Sequence, residues 1–136
     1  MTLLQLCRNL AEARVAITLT RQGQLWMTGG YTPVIREAVG QRKPEIIGLL
    51  DDQALRATFG VPLGVAIDGA LAVQLLHLRL ERDSFMGEER ELWIERAAIR
   101  EYDGMLPRWE AEALAARDVV ALRKLPRRLI RTPEAA

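Results

Sequence analysis

Cysteine and histidine are nearly absent from this sequence. It has one cysteine, Cys7, and one histidine, His77. A lone cysteine closes no internal disulfide, so a secreted, disulfide-framed fold is not expected. One histidine and one cysteine do not make a metal set without several carboxylates, so no metal site is expected. Gly29-Gly30 is not followed by the Gly-Lys-Ser/Thr of a phosphate loop. No catalytic residues and no cofactor are therefore assigned, and the chain reads as a non-enzyme. Long apolar runs are missing too. The most apolar stretch, Phe59 to Leu80, is interrupted by Asp68, Gln74, His77 and Arg79, which makes it a poor membrane span. With no basic and apolar leader at the N-terminus, a cytoplasmic location is the expectation.

What remains is enough for a folded protein. Apolar residues make up 49% of the 136, sufficient for a core, and the net charge is +1, so no global field draws the chain to nucleic acid. Charge is uneven locally: Arg123, Lys124, Arg127, Arg128 and Arg131 cluster with no acid among them.

The hydrophobic spacing predicts an α+β fold: a helix–β-hairpin–helix–helix unit, then a mainly α-helical C-terminal part. Thr2 is a helix cap, and Leu3, Leu6 and Leu10 recur at helical spacing over 3–13. Val15, Ile17 and Leu19 alternate as in a half-buried strand. Arg21-Gln22-Gly23 is a turn, and Leu25 and Met27 lie opposite Trp26 on a second strand. Thr32-Pro33 starts a short helix ended by Gly40, and another begins near Pro44. Residues 52–67, with Gly60, Pro62 and Gly64, read as a linker with a short strand. Asp68-Gly69 either turns a hairpin or caps a helix to about Arg82, with the helix favoured by composition. Helices over 88–101 and from Pro107 to about Lys124 follow, with Leu92, Trp93, Ala97 and Ile99, then Ala111, Leu114, Ala115 and Leu122, facing inward. Gly104 reads as the stop between them. The units are 2–51, the linker 52–67, a helical region 68–125 and a basic, frayed tail 126–136.

Four motifs carry a resemblance: Leu3-Leu4-x-Leu6; the hairpin from Val15-x-Ile17 to Leu25; Thr32-Pro33-x-Ile35; and Lys43-Pro44-Glu45-Ile46-Ile47-x-Leu49-Leu50. Together they resemble the TubC-type N-terminal docking domain of megasynthase subunits, over about residues 3–51. The resemblance implies a non-catalytic module that self-associates and captures a short peptide along its hairpin edge. Glu95 to Ala115 resembles a helical segment of small and primase-like proteins from bacterial mobile elements, and so implies a bacterial mobile-element origin.

The expected function is therefore protein–protein interaction: a docking or adaptor protein that takes a peptide or protein partner at the hairpin edge, with a homodimer as a further expectation. The expected contacts are Arg14, Thr18, Arg21, Trp26 and Thr28, with the two arginines placed to meet acidic partner residues. Trp26 is either an exposed hot spot or core. One alternative is an accessory nucleic-acid binder using Arg123, Lys124, Arg127, Arg128 and Arg131. Another is a small inhibitor of a host nuclease or defence complex. No membrane partner is expected.

Overall fold

The computed structural model describes residues 1–125. Among these residues it is helix-rich, with seven helices and one two-stranded antiparallel hairpin. The chain divides into two compact units, Met1–Leu80 and Glu81 onward.

The first unit begins with α1 (Leu3–Glu12), closed by a capping box. The Thr2 hydroxyl accepts from the Gln5 N–H, and the Gln5 side chain accepts from the Thr2 N–H, each at 3.1 Å. Its Leu6 and Leu10 are buried. Strands β1 (Ala16–Leu19) and β2 (Leu25–Thr28) follow. Beyond the Thr20–Gln24 pair, three loop residues close the hairpin, and Gly23 among them takes φ +77°. The Gly23 N–H donates to the Thr20 carbonyl at 3.0 Å, and the Thr20 N–H to the Gln24 carbonyl at 2.8 Å. These two bonds and the left-handed glycine are the pattern of a three-residue hairpin loop.

The base of the hairpin is tied to α1. A Cβ on Gly29 (φ +109°) would lie 2.4 Å from the Arg14 carbonyl oxygen, so only glycine fits there. Next come α2 (Pro33–Gln41), capped by Thr32, and α3 (Lys43–Leu50), with Pro44 in its first turn.

The expected linker and short strand over 52–67 are corrected in part. Residues Asp52–Phe59 form a helix, α4, and no strand forms between 60 and 67. Asp51 caps it by accepting from the Ala54 N–H, and Leu55, Thr58 and Phe59 are buried. Gly60, read as a breaker, is the left-handed residue that ends the helix at φ +75°. The loop that follows is held by Arg56, whose guanidinium donates to the carbonyls of Pro62 and Val65. Helix α5 (Gly69–Ser84) starts where Asp68 accepts from the Leu71 N–H at 2.8 Å, so the Asp68-Gly69 hairpin turn does not form.

In the second unit, α6 (Glu88–Tyr102) and α7 (Arg108–Leu122) form a helical hairpin. The Trp93 indole N–H donates to the Glu112 carbonyl at 3.0 Å, and Arg100 forms a forked pair with Asp118 at 2.7 and 2.8 Å. The interior of α7 is made of small residues, with Ala111, Ala113, Ala115, Ala116 and Val119 buried. Leu114 and Leu122, expected inward, are only half-buried. Of the inward set expected on α6, Ala97 is buried, Leu92 and Trp93 are half-buried, and Ile99 is exposed. Two residues turn a helix by about 200°, so Ala97 and Ile99 lie on opposite sides.

The stop between α6 and α7 also differs from the expectation. Met105 takes the positive φ (+54°), while Gly104 is required by crowding, because a Cβ there would lie 2.6 Å from the Arg100 carbonyl oxygen.

Candidate peptide-docking surface

Register fixes which hairpin groups are free. Thr18 stands opposite Trp26, and Ala16 opposite Thr28. The Thr20–Gln24 bond marks one hydrogen-bonded pair, and such pairs recur at every second position. Thr18–Trp26 and Ala16–Thr28 therefore bond to each other. The N–H and C=O groups of Ile17 and Leu19 point away from β2, and those of Leu25 and Met27 point away from β1.

The two margins differ. At β1, the backbone of Gly69 passes so close that a Cβ there would lie 3.2 Å from both the nitrogen and the carbonyl carbon of Ile17. The start of α5 thus occupies the β1 flank at Ile17. Beyond it, a groove of about 310 Å³ runs beside Leu19, lined by Arg21, Leu50, Asp51, Leu55 and Asp68 among others. At β2, no strand pairs with the outer margin among the described residues, and Leu25 and Met27 have no backbone partner there.

The outer face of the hairpin holds three of the five expected contacts. Strand alternation puts Thr18, Trp26 and Thr28 on the face opposite Ile17, Leu25 and Met27. All three are exposed, and Trp26 is 67% exposed, which resolves its two readings in favour of the surface. The Thr18 hydroxyl also lies beside Gly69. Arg14 and Arg21 are exposed but stand apart, Arg14 before β1 at φ +54° and Arg21 in the hairpin loop. The Gly69 approach to β1 was not anticipated. A glycine just after a capping aspartate was its one visible signal.

The basic cluster is only partly described. Arg123 is engaged: it forms a forked pair with Glu89 at 2.6 and 3.0 Å, reaches the fully buried Glu81 at 3.4 Å and lies over the Phe85 ring. The Glu89 pair pulls the Glu89 carboxyl below its ordinary pKa and raises that of Arg123. Lys124 is exposed. Arg127, Arg128 and Arg131 lie outside the described residues.

No group of three or more His, Cys, Asp or Glu side chains able to hold a metal ion occurs among the described residues. Cys7 is buried in α1, and desolvation first, then the nearby Glu45 charge, pushes its thiol up to about 12. No helix among the described residues is long and apolar enough to cross a membrane. Compared with family models, curated proteins and solved structures, the chain matches none.

Proposed function

We propose that this chain is a non-catalytic docking protein that captures an extended segment of a protein partner along the outer margin of β2. The observation that carries the reading is the pairing of a free backbone margin at Leu25 and Met27 with the exposed indole of Trp26 beside it. A guest strand would take its affinity from backbone hydrogen bonds at the margin and its selectivity from alternate side chains. Those on the outer face meet Trp26 and Thr28. Arg14 and Arg21 favour acidic residues flanking the guest. A tryptophan is a costly residue to leave in water, and buried aromatic anchors dominate interface energies.

The test is selection of binders from a displayed library of extended peptides, followed by titration of the selected peptides against the full chain and its variants. Trp26→Ala is expected to weaken binding by about ten-fold or more, with a change in folding stability within about 0.5 kcal/mol. Arg21→Ala is expected to weaken chiefly the peptides with acidic flanks. Selected peptides that bind Trp26→Ala as tightly as the parent chain would reject the reading.

A further inference from the structure

The second unit carries a different exposed surface, along one side of α6. At 3.6 residues per turn, Ile94, Ala98 and Tyr102 form one row, and Glu91, Glu95, Glu88 and Ile99 fill the arc beside it. All seven residues are exposed. Ile94 is 54% and Tyr102 73% exposed, and Met105, just past the helix end, is 88% exposed. The small Ala98 between two large side chains leaves a shallow notch in the row.

The charge on this arc has one sign. Glu88, Glu91 and Glu95 form no ion pair among the described residues. Of the α6 cations, Arg100 is bound to Asp118 and Arg96 is half-buried on the opposite side, while the exposed Arg90 stands one turn before Ile94 at the N-terminal end of the row, its guanidinium over the Trp93 ring and away from the glutamate edge. An apolar row edged by unneutralised carboxylates is complementary to an apolar row edged by cations. The occupant must also be side-chain-led. The backbone groups of α6 are satisfied within the helix, so an added strand would find no ladder to join. A second helix, by contrast, seats its ridge in the notch at Ala98.

We infer that this face of α6 docks a basic amphipathic helix of a partner protein, with Ile94, Ala98, Ile99 and Tyr102 as the apolar seat and Glu88, Glu91 and Glu95 as the charged rim. The face shares no residue with the hairpin margin and stands independently of it.

The probes are synthetic peptides of about 18 residues. One is a lysine–leucine helix with leucines at i, i+3 and i+4. The second has the same composition in scrambled order, and the third replaces each lysine with glutamate. Each is labelled and titrated by fluorescence anisotropy against the full chain, at about 50 and about 300 mM salt. The amphipathic basic peptide is expected to bind about ten-fold or more tightly than either control. The surface double variant Ile94→Ser/Tyr102→Ser should lose that advantage while keeping its thermal unfolding curve. Glu91→Gln/Glu95→Gln should weaken binding at low salt and flatten its salt dependence. Equal binding of the scrambled peptide, or binding unaffected by both double variants, overturns the inference. Sedimentation that shows a dimer of the chain lost in Ile94→Ser/Tyr102→Ser also overturns it, because the face would then belong to a second copy.

Discussion

Gly69 sets the contrast between the two hairpin margins, and its replacement gives the sharpest test of the first unit. An alanine Cβ there would stand 2.8 Å from the Thr18 hydroxyl oxygen and 3.2 Å from two backbone atoms of Ile17. Ordinary contact begins at 3.4 Å, so the start of α5 or strand β1 must give by roughly half an ångström. Backbone neighbours give poorly, and overpacking of this kind costs about 1–3 kcal/mol. Against it stands the helix preference of alanine over glycine, at most about 1 kcal/mol and smaller at the first helical position. The expected net effect of Gly69→Ala is a loss of about 1–2 kcal/mol.

Gly48 in α3 provides the control. It is exposed, and nothing lies within 4 Å of the place an alanine methyl would take, so Gly48→Ala should gain about 0.5–1 kcal/mol. Urea unfolding followed by far-ultraviolet circular dichroism reads both, with an unchanged m-value required for comparison. Thr18→Ala should restore part of the loss in the Gly69→Ala background, as coupled neighbours do. A Gly69→Ala midpoint at or above that of the parent chain would refute the close approach of α5 to β1.

Three further outcomes follow from side-chain chemistry. The Glu89 carboxyl is held below its ordinary pKa chiefly by its hydrogen bonds to Arg123, so its contribution is present above the unfolded glutamate value, about 4.3, and fades as pH falls through the lower folded value. Arg123→Ala should therefore lose less stability between neutral pH and about pH 3 than the parent chain does, and identical pH profiles would refute the linkage. Replacing Asp118 with alanine strands Arg100, itself about one-third exposed, and should cost about 1–2 kcal/mol in thermal or urea unfolding. Cys7, with its thiol at about 12, should resist a thiol-reactive chromophore at pH 8 in the native chain and react fully once the chain is unfolded in urea. Its raised folded value favours the native state below the unfolded thiol pKa, about 8.5, and that contribution is lost as pH rises toward the folded value.

Local signals made much of this architecture legible. Thr2, Thr32 and Asp68 each precede an apolar helical pattern, and each accepts a backbone N–H at a helix start. The three-residue loop with Gly23 announced the hairpin. Helix α4 is hidden in the sequence because Gly60 and Pro62 signal a break across the whole stretch, whereas they stand just after an eight-residue helix. A short helix contributes few periods, and its burial at Leu55 and Phe59 is decided by tertiary packing that a local pattern does not carry. Ile99 was misplaced for a related reason. A second unit whose helix α7 buries alanines does not need every aliphatic residue of α6, and hydrophobicity alone does not say which are left out. That Thr18, Trp26 and Thr28 share one face of the hairpin is legible from strand parity. The approach of Gly69 to β1 is not, because Gly69 lies fifty-two residues from Ile17 along the chain.

The two exposed surfaces make different demands on a partner, and this separates them experimentally. The β2 margin offers backbone donors and acceptors, so the guest we propose for it must be extended and can vary at alternate positions. The α6 face offers only side chains, so the guest we propose for it must bring its own folded apolar ridge. Charge opposes a common ligand as well: Arg14 and Arg21 flank the hairpin, while Glu88, Glu91 and Glu95 edge α6. A single peptide that satisfied one surface would meet the wrong backbone state and the wrong charge at the other. Trp26→Ala should therefore leave the affinity of the basic helical peptide unchanged, and Ile94→Ser/Tyr102→Ser should leave the extended peptides unaffected. Loss of both activities in either variant would mean that one surface, or simple unfolding, accounts for everything, and circular dichroism of the same samples tells those two apart.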